Sequence, residues 1–350
     1  MFSCARGCLG PLPGKPCPAC GKAIRRGRET RCSKDAGGCG KVFCDRCCSH
    51  ALVPASEEPK GDEAVVSLFC KSCFKRNNLL DFSKAVDVFG PAQGEAPCIL
   101  FVHGILNCRT SFREHAKQLS ERHGFRCVLM DLPGHGARMD DEDITLAGAL
   151  GAIEAAVEEH CVNAAGMPTY VLGMSLGGIL TMGMLGHRPD LVAGAIVVEC
   201  NFNIGAGRDL KNRLRFWAAR QAFGCIAFMT EEKIVEHFRK GWKGSGHIST
   251  DMSMGCLLRT GVFPRPVNAF VAMTGCVDLL GSLRGFKGPV HFIQVSKGDE
   301  GLFAGTTEQG SLKYIEGGDH HYPIDDRFMQ DFIDDIVSFV KESTAARAAA

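Results

Sequence analysis

The sequence predicts a doubly wound α/β domain built on a mostly parallel sheet, preceded by a small zinc-binding module. Three observations carry this expectation. From Cys98 onward, short apolar runs alternate with stretches of helical periodicity, the pattern of repeated strand–helix units. Eleven of the 19 cysteines fall within the first 73 residues, and the other eight are spread singly over the rest. Between a strand-like run and a helix-like one stands Gly173-Met-Ser175-Leu-Gly177, a G-x-S-x-G pentapeptide.

Bulk properties narrow the function classes. At 350 residues the chain accommodates one large domain and a smaller one. A hydrophobic content of 45% with 23% charged residues is that of a globular protein with a real core. A net charge of +1, with no basic groove interleaved with aromatics, argues against nucleic acid as a partner. The first residues, MFSCARGCLGPLPGKPC, lack the apolar stretch of a secretory signal. No run is long and apolar enough for a membrane span, since "VLGMSLGGILTMGMLG" is short and broken by glycine. The expected location is cytoplasmic, at most peripheral on endosomal membranes.

Residues 1–80 carry three C-x-x-C pairs, Cys17–Cys20, Cys44–Cys47 and Cys70–Cys73, and a looser pair, Cys32 and Cys39. Eight thiolates furnish two tetrahedral S4 sites, and a C-x-x-C knuckle supplies two corners of each tetrahedron. A segment this small buries little apolar surface, so two structural Zn2+ would supply much of its folding free energy. The stretches "CPACGKAIRRGRETRC", "CGKVFCDRC" and "VSLFCKSCF" resemble the FYVE-type zinc fingers of endosomal proteins over residues 17–75. That resemblance implies cross-bracing, with Cys17, Cys20, Cys44 and Cys47 on one zinc and Cys32, Cys39, Cys70 and Cys73 on the other. Cys48 and His50 are alternative ligands, and Cys4 and Cys8 have no assigned role. Where phosphoinositide-binding members carry paired histidines, this chain reads Arg28-Glu-Thr-Arg31. With 14 Lys/Arg against 7 Asp/Glu in residues 1–80, an anionic lipid surface and a protein partner both remain open for the module.

Residues 81–97 form a linker, in which "KAVDVF" reads as an edge strand of the large domain. That domain spans 98–345. In it, "CILFVHG" (98–104), "RCVLMDL" (126–132), "TYVLGMS" (169–175), "GAIVVEC" (194–200) and "PVHFIQV" (289–295) read as strands buried on both faces. "FREHAKQLSERH", "LAGALGAIEAAVEEHCV" and "LGGILTMGML" between them read as helices, and a last helix covers about 324–341.

Ser175 therefore follows a strand directly and opens a helix, the context in which G-x-S-x-G presents a nucleophile. The flanking glycines suit a strained turn, and the helix N-terminus directs free N–H groups at a developing oxyanion. Its first-turn donor is Leu176. A second donor, the Ile105 N–H, comes from the turn His103-Gly104 after the first strand, with His103 itself structural.

The series F-V-H-G (101–104), "DLPGHG" (131–136) and G-M-S-L-G-G (173–178), in that order, resembles the α/β-hydrolase superfamily over 98–341, most of all its lipase and esterase branch with a helical cap. The resemblance implies a triad running Ser, acid, His along the chain. Asp299, in "SKGDEGLF" after the strand at 289–295, is the expected acid, with Glu300 and Glu199 as rivals. His320, in "IEGGDHHYP", is the expected base, with His321 as its rival. Residues 201–286 fall where the family inserts its cap. The expectation is a serine hydrolase acting on an ester or thioester of a lipid-like or small acyl substrate, with no cofactor for catalysis and a zinc finger for membrane or protein docking. An inactive scaffold, or a phosphoinositide-binding adaptor, is the competing class.

Overall fold

The computed structural model describes residues 84–105, 107–139, 141–162, 166–200, 285–295, 309–318, 320 and 322–349, with single residues at 41, 273 and 283. It also gives the backbone of six short strands before residue 71.

Those six strands pair as three antiparallel two-stranded ladders. β1 (Pro11–Pro16) pairs with β2 (Ala23–Arg25), β3 (Glu29–Arg31) with β4 (Val42–Cys44), and β5 (Cys48–Pro54) with β6 (Ala64–Cys70). Cys44 and Cys70 are the last residues of their strands, so the two C-x-x-C pairs that they begin each leave from a strand end. The register sets Cys48 opposite Cys70. Cys17, Cys20, Cys32, Cys39, Cys47 and Cys73 lie outside the described residues.

The large sheet has seven strands: β7 (Val86–Phe89), β8 (Cys98–Val102), β9 (Arg126–Met130), β10 (Thr169–Met174), β11 (Gly194–Val198), β12 (Val290–Gln294) and β13 (Gly310–Tyr314). Their order is β13-β12-β11-β10-β8-β9-β7, parallel throughout except for β7, which runs antiparallel along the edge of β9. β8 to β11 are buried end to end apart from Arg126, which explains their uninterrupted apolar sequence: helices cover both faces.

The helices are α1 (Arg113–His123), α2 (Leu146–His160), α3 (Leu176–His187) and α4 (Asp326–Ala349). Side chains alternate across the strands, so Leu100, Val102, Val128, Val171 and Val197 pack with Ile153 and Val157 of α2 and Leu180 and Met184 of α3. Ile99, Phe101, Leu129, Leu172, Ile196 and Val198 face the other way, onto Leu119 of α1 and Phe332, Ile336 and Val340 of α4. Each such side chain contributes about 1.5–3 kcal/mol by leaving water. α4 extends past the expected end because "STAARAA" is rich in strong helix formers. Among the described residues no helix is long and apolar enough to cross a membrane.

The chain leaves β8 for β9 on one side, then crosses back past β8 to β10. Connections from the carboxyl ends of β8 and β10 thus diverge, which opens a crevice there, the place where open α/β sheets bind ligands.

Candidate active site

Two residues other than glycine have positive φ among the described residues: Ser175 at 54° and Glu199 at 47°. Both follow the last residue of adjacent parallel strands, β10 and β11. Such conformations cost on the order of 1–3 kcal/mol and persist where the surroundings impose them. For Ser175 the surroundings are visible. Its N–H donates to the Val198 carbonyl at 2.9 Å, and its carbonyl accepts from the Ile179 N–H at 3.1 Å, which starts α3. The flanking glycines answer to close packing. A Cβ on Gly173 would stand 2.2 Å from the Gly177 carbonyl oxygen, and one on Gly177 would stand 2.1 Å from that of Val102. β10, the elbow and α3 can come this close only without those carbons.

His320 reaches Ser175 from the loop between β13 and α4. Its Nε2 lies 3.1 Å from the Ser175 Oγ and accepts the hydroxyl proton, while Nδ1 lies 3.2 Å from the Glu199 Oε2 and donates to it. Glu199 is 7% exposed. Its other oxygen accepts the Val295 N–H, and its own N–H donates to the Ile293 carbonyl at 2.9 Å. The carboxylate is therefore fixed by β12 on one side and aimed at the imidazole on the other. Serine, histidine and glutamate form a continuous hydrogen-bonded line with the geometry of a nucleophile, a base and an orienting acid. Of the sequence-based candidates, Ser175 and His320 come together, and Glu199 joins them; Asp299, Glu300 and His321 lie outside the described residues.

The turn after β8 closes against the nucleophile. A Cβ on Gly104 would lie 3.3 Å from the Ser175 Cβ and 3.4 Å from the Met174 carbonyl oxygen. Ile105 follows that glycine, and Leu176 is the first residue of α3, whose leading N–H groups have no acceptor within the helix. Leu176 thus adjoins Ser175 in the chain, and Ile105 adjoins the glycine packed against it.

A buried polar network that sequence reasoning did not foresee holds this turn. His103 is fully buried; its Nε2 accepts from the Leu132 N–H at 3.1 Å and its Nδ1–H donates to the Gly104 carbonyl at 2.8 Å. Burial lowers its pKa to about 4, and that of the neighbouring His135 to about 3, so both rings stay neutral. Arg109, 1% exposed, pairs with Asp131 through Nη1 at 2.6 Å and with Asp87 through Nε at 2.9 Å. Asp131 also accepts the Arg109 N–H at 2.7 Å and the Ala137 N–H at 2.8 Å. The loops after β8 and β9 are thereby tied together, and β7 is tied to both. The only sequence signal for this was "DLPGHG": a Cβ on Gly136 would stand 2.4 Å from the Asp131 carboxylate.

The model of the alpha/beta hydrolase family matches residues 99–335. The chain belongs to the alpha/beta hydrolase family. Among curated relatives, the mouse protein named sn-1-specific diacylglycerol lipase ABHD11 is 26% identical over 138 residues, 39% of this chain and 44% of that protein. The match therefore spans less than half the length of that relative. Among solved structures, MenH from S. aureus aligns over 74% of this chain and 99% of its own with a TM-score of 0.60 at 16% identity. The esterase EaEST from Exiguobacterium antarcticum aligns over 73% and 94% with a TM-score of 0.57 at 16% identity. A thioesterase domain from the curacin biosynthetic pathway aligns over 73% and 94% with a TM-score of 0.52 at 18% identity. Likenesses at these identities concern the fold. In this alpha/beta hydrolase the family match begins at β8 and leaves residues 1–98 uncovered.

Proposed function

We propose that this alpha/beta hydrolase cleaves a carboxylic ester or thioester through an acyl-enzyme on Ser175. The observation that carries the reading is the hydrogen-bonded line from Ser175 through His320 to Glu199. As Ser175 Oγ attacks the carbonyl carbon, its proton passes to His320 Nε2. The Ile105 and Leu176 N–H groups stabilise the oxyanion of the tetrahedral adduct. His320 then gives the proton to the departing alcohol or thiol. Water, deprotonated by the same imidazole, releases the acid and restores the serine. Glu199 holds the imidazole with its proton on Nδ1 and offsets the charge that develops on the ring. Relatives named as lipase, esterase and thioesterase support an acyl substrate, lipid-like or small. Hydrolysis of p-nitrophenyl esters of graded chain length by the wild type and by Ser175→Ala tests the reading, and loss of turnover in the variant is the expected result. A protein that turns over none of them and takes up no fluorophosphonate would be the scaffold instead.

For the first eighty residues the reading is two structural Zn2+ on Cys17, Cys20, Cys32, Cys39, Cys44, Cys47, Cys70 and Cys73. Its support is the thiolate spacing, together with C-x-x-C pairs that leave from the ends of β4 and β6. Such a module would dock the enzyme on a membrane surface or a protein partner, with the basic residues Arg25, Arg26, Arg28 and Arg31 meeting an anionic group such as a phosphoinositide.

A further inference from the structure

Beside the nucleophile sits a side chain with no role in the reaction as written. Asn107 lies in the turn after β8, where its N–H donates to the Gly104 carbonyl at 3.3 Å. It is 4% exposed. The point where a Gly104 Cβ would sit is 3.7 Å from the Asn107 Nδ2 and 3.3 Å from the Ser175 Cβ, so carboxamide and nucleophile both approach within 4 Å of one point.

We propose that Asn107 is a substrate-binding residue, whose carboxamide hydrogen-bonds a hydroxyl or carbonyl group carried by the substrate within a few bonds of the ester carbonyl. The inference rests on the esterase reading and adds a substrate class to it: esters whose acid or alcohol portion is itself oxygenated.

Two features support this. First, among the described residues the carboxamide makes no hydrogen bond, while its own backbone N–H is held by the Gly104 carbonyl. An amide with no protein partner is left to water or to a ligand, and an apolar side chain of the same size would need neither. Second, the position is rigid. Two residues on, the Arg109 N–H is held by Asp131 at 2.7 Å, and the Ser111 N–H and hydroxyl both donate to the Cys108 carbonyl, at 3.0 and 2.8 Å. Arg109 itself is locked in the buried ion network. A donor and acceptor fixed in this way discriminates, because a substrate lacking the matching group leaves the amide unpaired in the complex.

The test uses two pairs of near-isosteric esters and the full chain. On the alcohol side, glycerol monobutyrate is set against 2-methylbutyl butyrate; on the acid side, ethyl 3-hydroxybutanoate against ethyl 3-methylbutanoate. The wild type is expected to favour the hydroxylated member of one pair in kcat/KM by about tenfold or more. Which pair responds says which portion of the ester Asn107 meets. Asn107→Leu should bring that ratio close to one, and Asn107→Asp, which keeps an acceptor for the hydroxyl, should retain it. Thermal midpoints and the rate of fluorophosphonate uptake at Ser175 report whether each variant is folded, with Asn107→Ser as the substitute if the leucine variant is not. No preference in either wild-type pair, or a preference that Asn107→Leu leaves intact, overturns the proposal while ester turnover itself survives. Absence of both turnover and labelling in the wild type overturns the esterase reading, and this one with it.

Discussion

At the scale of single residues, the site rests on two backbones held where side chains seldom allow. Ser175 and Glu199 both have positive φ, and each is pinned by a hydrogen bond to the neighbouring strand, at Val198 and Ile293. The elbow of Ser175 could be read from G-x-S-x-G because its glycines are required by contacts at 2.1 and 2.2 Å. No comparable signal surrounds Glu199. It ends the buried strand GAIVV like any residue entering a loop, and only the fold brings it to His320, 121 residues further along the chain. Chain order admits both Glu199 and Asp299 between Ser175 and His320, and the family resemblance favours Asp299, which lies outside the described residues. The two carboxylates separate by experiment. Glu199→Gln should lower kcat by about a thousandfold or more, the scale of a triad that loses its orienting charge, with little change in KM. Asp299→Asn should leave kcat within about threefold of wild type. The opposite pattern would return the acid to Asp299.

At the scale of elements, β10, the elbow and α3 behave as one unit. The Cβ of an alanine at position 177 would meet the Val102 carbonyl oxygen of β8, a backbone atom that cannot swing aside. Gly177→Ala should therefore destabilise the domain by about 2–3 kcal/mol and displace the elbow, read as a lower urea midpoint with an unchanged slope together with lost ester hydrolysis. An unaltered midpoint would mean that α3 stands further from β8 than this packing requires. The strands that could be read in the sequence share this buried setting. CILFV, RCVLM, TYVLGM and GAIVV are apolar because both faces are covered. GSLKY of β13, at the sheet edge and half in solvent, carries no such run. Nor could the pairing of Arg109 with Asp131 be foreseen. The two are 22 residues apart, each typical of a surface, and they are buried only because the loops after β8 and β9 meet.

At the scale of the whole molecule, the strand order places the reversal between β8 and β10, and every residue of the candidate site sits at the carboxyl ends of the strands around it. Beneath that crevice, His103 and His135 link acidity to stability. The unfolded chain takes up their protons near the ordinary histidine value of 6.5, whereas the folded chain resists until about 4 and about 3. Between those limits the unfolded state binds more protons, so stability falls as pH drops, by about 1.4 kcal/mol per unit for each ring. Urea midpoints measured from pH 7 to 4.5 should decline accordingly, and His135→Phe should flatten the decline; an unchanged slope in that variant would mean that the ring is charged in the folded state. For the zinc reading, metal analysis of the purified full chain should return about two zinc ions per molecule, and Cys44→Ser with Cys70→Ser should lower that number. A metal-free chain with intact hydrolase activity would remove zinc from the first eighty residues and leave the catalytic reading standing. The central claim is that Ser175 is the nucleophile, and reaction with a fluorophosphonate followed by mass spectrometry of the labelled peptide tests it most directly. One adduct per chain on Ser175, absent from Ser175→Ala and much slowed in His320→Ala, is the predicted result. Wild-type protein that is folded by its urea transition yet takes up no label, or carries it on another residue, would contradict the claim.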